Sequence, residues 1–106
     1  MKLVRFIPKC LGIPPRIGVL QKNIVVDLAA SFRAYLYART LSSKEGAYRL
    51  ADTLLPGKML EFIENGPLSM EAAHNALQFI KEEGETNVLG EKTTFLEEDV
   101  RLLSPI

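Results

Sequence analysis

The stretch Arg16-Ile17-Gly18-Val19-Leu20-Gln21-Lys22-Asn23-Ile24-Val25-Val26-Asp27-Leu28 decides the fold. Two short runs rich in Ile and Val, residues 16–20 and 23–28, flank a tight connection at residues 21–23. Asn tolerates the positive φ that hairpin turns require, so the pattern predicts an antiparallel hairpin with Asn23 in its turn. From Asp27 onward the apolar spacing changes from two to about 3.6 residues, which predicts a helix directly after the second strand.

Two further strands are predicted outside this hairpin. Residues 3–7 alternate as a strand does, and Val100 to Leu103 has the composition of a last short strand at a sheet edge. Between the first strand and the hairpin, residues 8–15 contain three prolines. Because proline has no donor N–H group, that segment is predicted to be a loop.

The helix after the hairpin and a second helix have recognisable start signals. The first is predicted from Leu28 to about Arg39, with Asp27 or Ser31 available as its N-cap. In the second, Ser42 and Glu45 have the spacing of a capping box, with Ser42 as the cap. The buried faces are predicted to be Leu28, Phe32, Tyr35 and Leu36 in the first, and Ala47, Leu50, Ala51 and Leu54 in the second.

Two more helices are predicted before the final strand. Pro56 is placed to begin the third, and Gly66 suits its left-handed end. The fourth is predicted from Ser69 to Gly84, with Glu71 in its first turn, and residues 85–91 follow as an exposed loop. Their buried faces are predicted to be Met59, Leu60 and Ile63, and Ala73, Ala76, Leu77 and Ile80.

These elements together predict an α+β fold. It is a small antiparallel β-sheet, made of the N-terminal hairpin strands and a C-terminal edge strand, packed with three to four short helices. The chain has 106 residues, of which 47% are apolar and 25% charged, which is typical of one globular domain. No apolar run approaches the roughly 20 residues that span a bilayer, so no membrane association is expected.

The start of the chain and its cysteine content indicate a compartment. Residues 1–6 lack the apolar region and the cleavage site of a secretory signal. Cys10 is the single cysteine, so no internal disulfide can form. A cytoplasmic location is therefore expected.

Two groups of side chains resemble metal ligands. Glu71 and His74 have the i, i+3 spacing at which one helix offers two ligands, but di-metal bundles need that pair twice. Glu97, Glu98 and Asp99 carry the oxygen ligands of hard cations, but adjacent residues of an extended chain point to opposite faces. An exposed helix pair and a solvated loop are the favoured interpretations, and no metal ligand is assigned.

Catalytic and phosphate-binding motifs are not recognised. Cys10 has no neighbouring His, and the only histidine, His74, lies on a distant predicted helix. The sequence has no GxGxxG, Walker or GxSxG pattern, and Gly57 and Gly66 are interpreted as helix punctuation. We therefore assign no catalytic residue, no cofactor-binding residue and no cofactor to this chain.

A mixture of cations and rings could bind single-stranded nucleic acid. Arg33, Tyr37, Arg39 and Arg49 have this character. Arg33 and Tyr37 are also i, i+4 neighbours, which equally describes a stacking pair on a helix surface. The stacking pair is favoured and no nucleic-acid partner is expected, because the chain has no excess of positive charge.

The formal net charge of zero is a cancellation between two halves. Residues 1–50 hold nine Lys and Arg against two Asp and Glu, a charge of +7, and residues 51–106 hold four against eleven, a charge of −7. We expect the halves to attract each other within one domain. In the alternative they form separate faces, and Glu82, Glu83, Glu97 and Glu98 help to orient the domain on a partner.

Five segments occur in an order that matches one family. They are MKLVRF (1–6), RIGVL (16–20), NIVVDLAA (23–30), LPGKMLEFIENG (55–66) and DVRLLSPI (99–106). In this order they resemble the N-terminal region of fumarylacetoacetate hydrolase (FAH) family proteins, and the last is similar to that family's "VRLLAPI" exit strand. The resemblance spans nearly all of the chain.

The resemblance implies that residues 1–106 are a single N-terminal accessory domain and that catalysis occurs in a domain that follows. In that domain three carboxylates would hold Mg²⁺ or Mn²⁺ and a His-Glu pair would serve as base. The substrates would be 2-oxo or acylpyruvate-like acids, and the reaction a hydrolysis, isomerisation or decarboxylation. The family's Glu-x-Glu motif would begin after Ile106, and Glu71 and His74 stand in the reversed order, so they are not carried over.

The resemblance also implies the partners. The catalytic domain of the same protein is the expected partner, the parent protein is expected to be a homodimer, and Ser104-Pro105-Ile106 is interpreted as an interdomain exit. The alternative is a stand-alone protein-interaction module without catalytic activity.

Overall fold

The computed structural model describes residues 2–9, 12, 14–40, 43–84 and 91–103. They form a five-stranded antiparallel sheet and four α-helices, which confirms the predicted α+β class. A three-residue 3-10 helix, Glu97–Asp99, joins the last two strands. The elements are β1 (Leu3–Pro8), β2 (Arg16–Gln21), β3 (Ile24–Asp27), α1 (Leu28–Arg39), α2 (Lys44–Leu54), α3 (Met59–Glu64), α4 (Pro67–Glu83), β4 (Thr94–Leu96) and β5 (Val100–Leu103).

The predicted hairpin is present as β2 and β3, joined at Lys22 and Asn23. The positive φ of its turn falls on Lys22, at 56°, and not on Asn23 as predicted. Asp27 ends β3 and caps α1, because its Oδ1 accepts a hydrogen bond from the Ala30 N–H group at 3.2 Å. The other candidate cap, Ser31, lies inside the helix. Strand and helix therefore meet without a linker.

The sheet curls strongly on itself. Its strand order is β4-β3-β2-β1-β5, so β5 is an edge strand as predicted, and the two edge strands are joined by only three residues. The rings of Phe6 on β1 and Phe95 on β4 lie 5.9 Å apart, although two strands separate them. The curl thus encloses a core on the face of the sheet turned away from the helices. It contains Val4, Phe6, Val25, Phe95 and Val100.

The helices cover the other face of the sheet. Helix α1 packs against β2 and β3 and also contacts α2 and α4. The larger core lies between these elements, and it includes Ile17 and Val19 of the sheet. Within the described residues, no helix is both long and apolar enough to cross a membrane.

The predicted starts and buried faces of the helices need correction. Helix α3 begins at Met59 and not at Pro56, and α4 begins at Pro67 and not at Ser69, which puts Glu71 beyond its first turn. Gly66 has φ 63°, in the left-handed region predicted for it, and Gly84 ends α4 as predicted. Leu50, Leu60 and Ile63 were predicted to be buried but are exposed, and Leu77 and Ile80 are only half-buried. Phe62, Ala72 and Phe79 are buried, although they were not predicted to be.

The predicted loops also differ from the structure. Pro8 is the last residue of β1, opposite Val100. Strand β4 was not predicted, because three residues are too short for a recognisable alternation. Of the predicted exposed loop at residues 85–91, only Glu91 lies within the described residues, and it is half-buried.

The N-cap of α2 provides a first prediction. The Ser43 Oγ accepts a hydrogen bond from the Gly46 N–H group at 3.0 Å, so Ser43 holds the position predicted for Ser42, which lies outside the described residues. Replacing Ser43 by Ala is expected to lower the free energy of unfolding by about 1 kcal/mol, measured by urea denaturation. Ser42→Ala is the control and is expected to have a smaller effect. An equal loss in both variants would contradict the assignment.

Candidate functional site

An open groove lies between α4 and the β3–β4 edge of the sheet. Its volume is about 1080 Å³. The sheet side is formed by two cross-strand pairs, Ile24 opposite Leu96 and Val26 opposite Thr94. The helix side is formed by successive turns of α4, with Leu77 and Ile80 at its apolar centre. The groove exists because α4 packs on α1 and leaves this edge of the sheet uncovered.

The groove is apolar inside and basic at its rim. Ile24 is 44% exposed and Leu96 is 50% exposed, which is high for large aliphatic side chains in a paired position of a sheet. Lys22 and Lys81 also line it, and no Asp or Glu is among its described lining residues. A complementary surface would be apolar and acidic.

A buried ion pair lies on the opposite side of α1. Arg33 is 4% exposed, and its Nε and Nη2 donate to the two carboxylate oxygens of Glu91 at 2.7 and 2.6 Å. The Tyr48 hydroxyl donates to Glu91 Oε1 at 3.1 Å, and the guanidinium carbon of Arg33 lies 4.7 Å from the centre of the Tyr48 ring. The pair thus joins α1, α2 and the segment before β4.

The charges around this pair influence one another. Burial alone would raise the pKa of the Glu91 carboxyl, but the hydrogen bonds and charge of Arg33 outweigh burial, so the pKa is lowered. Burial raises the pKa of the Tyr48 hydroxyl, and the Glu91 carboxylate raises it further. Asp27 is fully buried and accepts from Arg16 Nη1 at 2.5 Å, yet burial outweighs Arg16 and raises the pKa of that carboxyl.

The structure does not assemble the metal candidates into a cluster. Glu71 and His74 are both exposed on α4, as the favoured interpretation predicted, and His74 lines the groove. Glu97, Glu98 and Asp99 form the 3-10 helix and not the predicted solvated loop, and Glu97 is half-buried while Glu98 and Asp99 are exposed. The Lys9 N–H group donates a hydrogen bond to the Asp99 carbonyl at 3.0 Å. Among residues 2–9, 12, 14–40, 43–84 and 91–103, no group of three His, Cys, Asp or Glu could hold a metal.

The remaining candidates have other roles. The surface stacking of Arg33 on Tyr37 is wrong, because Arg33 is buried against Tyr48. Arg39 pairs with Glu82 and Glu83 at 3.2 and 2.8 Å. The four residues Arg33, Tyr37, Arg39 and Arg49 therefore do not form one exposed surface. Cys10 lies outside the described residues.

Gly57 lies between α2 and α3, as its interpretation as helix punctuation expected, and it also makes a close contact that was not predicted. A Cβ atom there would lie 2.4 Å from the Pro15 carbonyl oxygen, so its backbone must approach that segment closely. The Gly57 carbonyl also accepts from Arg5 Nε at 3.0 Å. The sequence offered no signal for this contact, because it joins residues far apart in the chain.

The oppositely charged halves attract each other within the fold, as expected. Among the described residues, four of the five ion pairs join residues 1–50 to residues 51–106. Arg33 and Arg39 provide the cation in all four. Glu82 and Glu83 are therefore engaged within the domain, in pairs with Arg39.

Comparisons of this chain with protein-family models, with curated proteins and with solved structures found no match.

Proposed function

We propose that this chain is the N-terminal accessory domain of a cytoplasmic, metal-dependent hydrolase or isomerase of the FAH family. Its role is to pack against the catalytic domain of the same protein and to help its assembly. The observation that carries the proposal is the ordered resemblance of five segments between residues 1 and 106 to that family. The parent enzyme acts on 2-oxo or acylpyruvate-like acids with Mg²⁺ or Mn²⁺ held in its catalytic domain, in a homodimer.

The groove between α4 and the β3–β4 edge is the docking surface in this proposal. Ile24 and Leu96 remain half exposed there, and covering apolar side chains is favourable by about 25 cal/mol per Å². Lys22 and Lys81 favour an occupant that carries carboxylates. We therefore assign the groove to an apolar segment of the catalytic domain that is flanked by Asp or Glu.

The coding sequence after the codon for Ile106 tests the family. The proposal expects a Glu-x-Glu motif with a later Asp, and a His-Glu pair, in the polypeptide that it encodes. A continuation that has neither the Glu-x-Glu motif nor the His-Glu pair would contradict the enzyme assignment.

Differential scanning calorimetry of the whole polypeptide tests the docking surface. Docked domains are expected to unfold in one cooperative transition, and Ile24→Glu is expected to separate it into two, because a carboxylate is then buried against an acidic partner surface. Leu50→Glu is the matched control, since Leu50 is 42% exposed on α2, outside the groove, and should leave one transition. One unchanged transition in Ile24→Glu would contradict docking at this groove.

A stand-alone protein-interaction module is the second candidate. The observation that favours it is a separate apolar surface on α3 and the start of α4, where Leu60, Ile63 and Leu68 are each about two-thirds exposed. Exposed apolar patches of this kind mark interaction sites. Light scattering and a pulldown together distinguish the candidates. Self-association of the 106-residue chain that Leu60→Glu abolishes would favour the module. A chain that is monomeric by light scattering and captures no partner in the pulldown would count against it.

A further inference from the structure

A cleft beside the buried ion pair contains three arginines that use only part of their hydrogen-bonding capacity. It has a volume of about 460 Å³ and lies between β1, β2 and the connection from α2 to α3. Arg5 donates from Nε to the Gly57 carbonyl, Arg16 donates from Nη1 to Asp27, and Arg33 donates from Nε and Nη2 to Glu91. These bonds fix the three guanidinium groups in the cleft wall.

The other donors of these groups are free to bind a ligand. Within the described part of the chain, both terminal nitrogens of Arg5, the Nε and Nη2 of Arg16 and the Nη1 of Arg33 donate no hydrogen bond. The Asp52 carboxylate lies 3.9 Å from Arg33 Nη1, which is too long for a hydrogen bond. None of these nitrogens is sealed from solvent without a partner.

We propose that this cleft binds a small monocarboxylate. The planar fork of a guanidinium group matches the two oxygens of a carboxylate, so fixed arginines with free N–H groups can donate to both of its oxygens. Lys58 lines the same cleft and adds a cation at the exposed side. An apolar tail can lie along the non-polar part of the wall, which is formed by Pro14, Pro15, Ala29, Leu55 and Pro56.

The charge at the cleft gives a dianion no advantage over a monoanion. Asp52 and Glu61 are exposed and line the cleft with the arginines. Together with Asp27 and Glu91, which pair with Arg16 and Arg33, their carboxylates balance the four cations of the cleft, so a dianion such as phosphate gains no net attraction and costs more to desolvate than a carboxylate. This site is separate from the α4 groove, and its assignment does not depend on the proposed function.

Nuclear magnetic resonance of the isotope-labelled 106-residue chain tests the proposal. Butanoate, inorganic phosphate and uncharged butanol are titrated at constant ionic strength, and the Arg16 Nε–Hε signal is followed. Butanoate is expected to shift that signal saturably with a Kd of about 1 to 10 mM. Phosphate is expected to bind more weakly, and butanol is expected to leave the signal unshifted.

Three variants separate the cleft from general charge effects. Arg5→Gln removes two free terminal nitrogens and is expected to weaken butanoate binding about tenfold. Lys58 is exposed, so Lys58→Gln is expected to keep the fold of the parent chain and to weaken butanoate binding about threefold. Arg49→Gln is the matched control, because Arg49 is exposed on α2 outside the cleft, and should bind as the parent does. No saturable shift with butanoate, or equal losses in Arg49→Gln and Lys58→Gln, would overturn the proposal.

Discussion

Replacing Glu91 by Gln is expected to lower the free energy of unfolding by about 3 kcal/mol, because it leaves the buried Arg33 guanidinium without its counter-charge. Arg33 is 4% exposed, and two of its nitrogens donate hydrogen bonds to the two oxygens of this carboxylate. A Gln side chain offers one oxygen and turns an NH₂ group towards the other donor. Urea denaturation at neutral pH measures the loss.

A double-mutant cycle separates the pair from general damage at this position. The cycle consists of Arg33→Met, Glu91→Met and the double variant, and the double variant is expected to lose much less stability than the two single losses added together, because it removes both charges. Glu83→Gln is the control, because Glu83 forms an exposed pair with Arg39, and little change in stability is expected there. Unchanged stability in Glu91→Gln, or strictly additive losses in the cycle, would show that the pair is not what holds Arg33 in the core.

The same pair has a pH signature of known sign. The pKa of Glu91 is lowered in the folded state, so its contribution to stability is complete above its ordinary value of 4.5 and is lost as the pH falls through the folded value. The stability difference between the parent chain and Glu91→Gln should therefore narrow on acidification below that value. The raised pKa of Asp27 acts in the opposite direction, and it is present in both proteins.

The sequence predicted the elements whose signals are local. The change of period at Asp27 marked both the end of β3 and the start of α1, and Gly84 marked the end of α4. Helix α3 shows where a local pattern is insufficient. Its six residues carry two apolar pairs at i, i+3 spacing, Met59 with Phe62 and Leu60 with Ile63, and periodicity cannot decide which pair is buried.

The candidate sites depended on contacts that periodicity does not encode. Arg33 and Glu91 are 58 positions apart in the sequence, and Glu91 lay at the end of a segment that was predicted to be an exposed loop. Leu77 and Ile80 had been predicted to be buried. They line the groove instead, because α4 packs on α1 and not over the β3–β4 edge of the sheet. In both cases the missing information was tertiary, because it concerns which elements cover each other.

The second core, on the face of the sheet without helices, depends on a glycine that the sequence did not single out. Gly18 lies opposite Val4 on the neighbouring strand, and a Cβ atom there would lie 2.6 Å from the Val26 carbonyl oxygen and 2.8 Å from Phe6 Cε1. The first neighbour is backbone and the second is a fully buried ring. Since neither can move without loosening the curl, residue 18 has no room for a side chain.

Gly18→Ala is therefore expected to lower the free energy of unfolding by about 3 kcal/mol, at the upper end of the cost of overpacking a core. Gly46→Ala is the matched control, because a Cβ there would meet only the Ser43 Oγ, at 3.0 Å, and the preference of a helix for Ala over Gly, about 1 kcal/mol, offsets the crowding of that capping oxygen. The loss of stability at residue 18 should therefore be much larger than any change at residue 46, as measured by urea denaturation. Equal effects would mean that the sheet can open to accept a methyl group, and the closeness of Phe6 to Phe95 would then not be required for the fold.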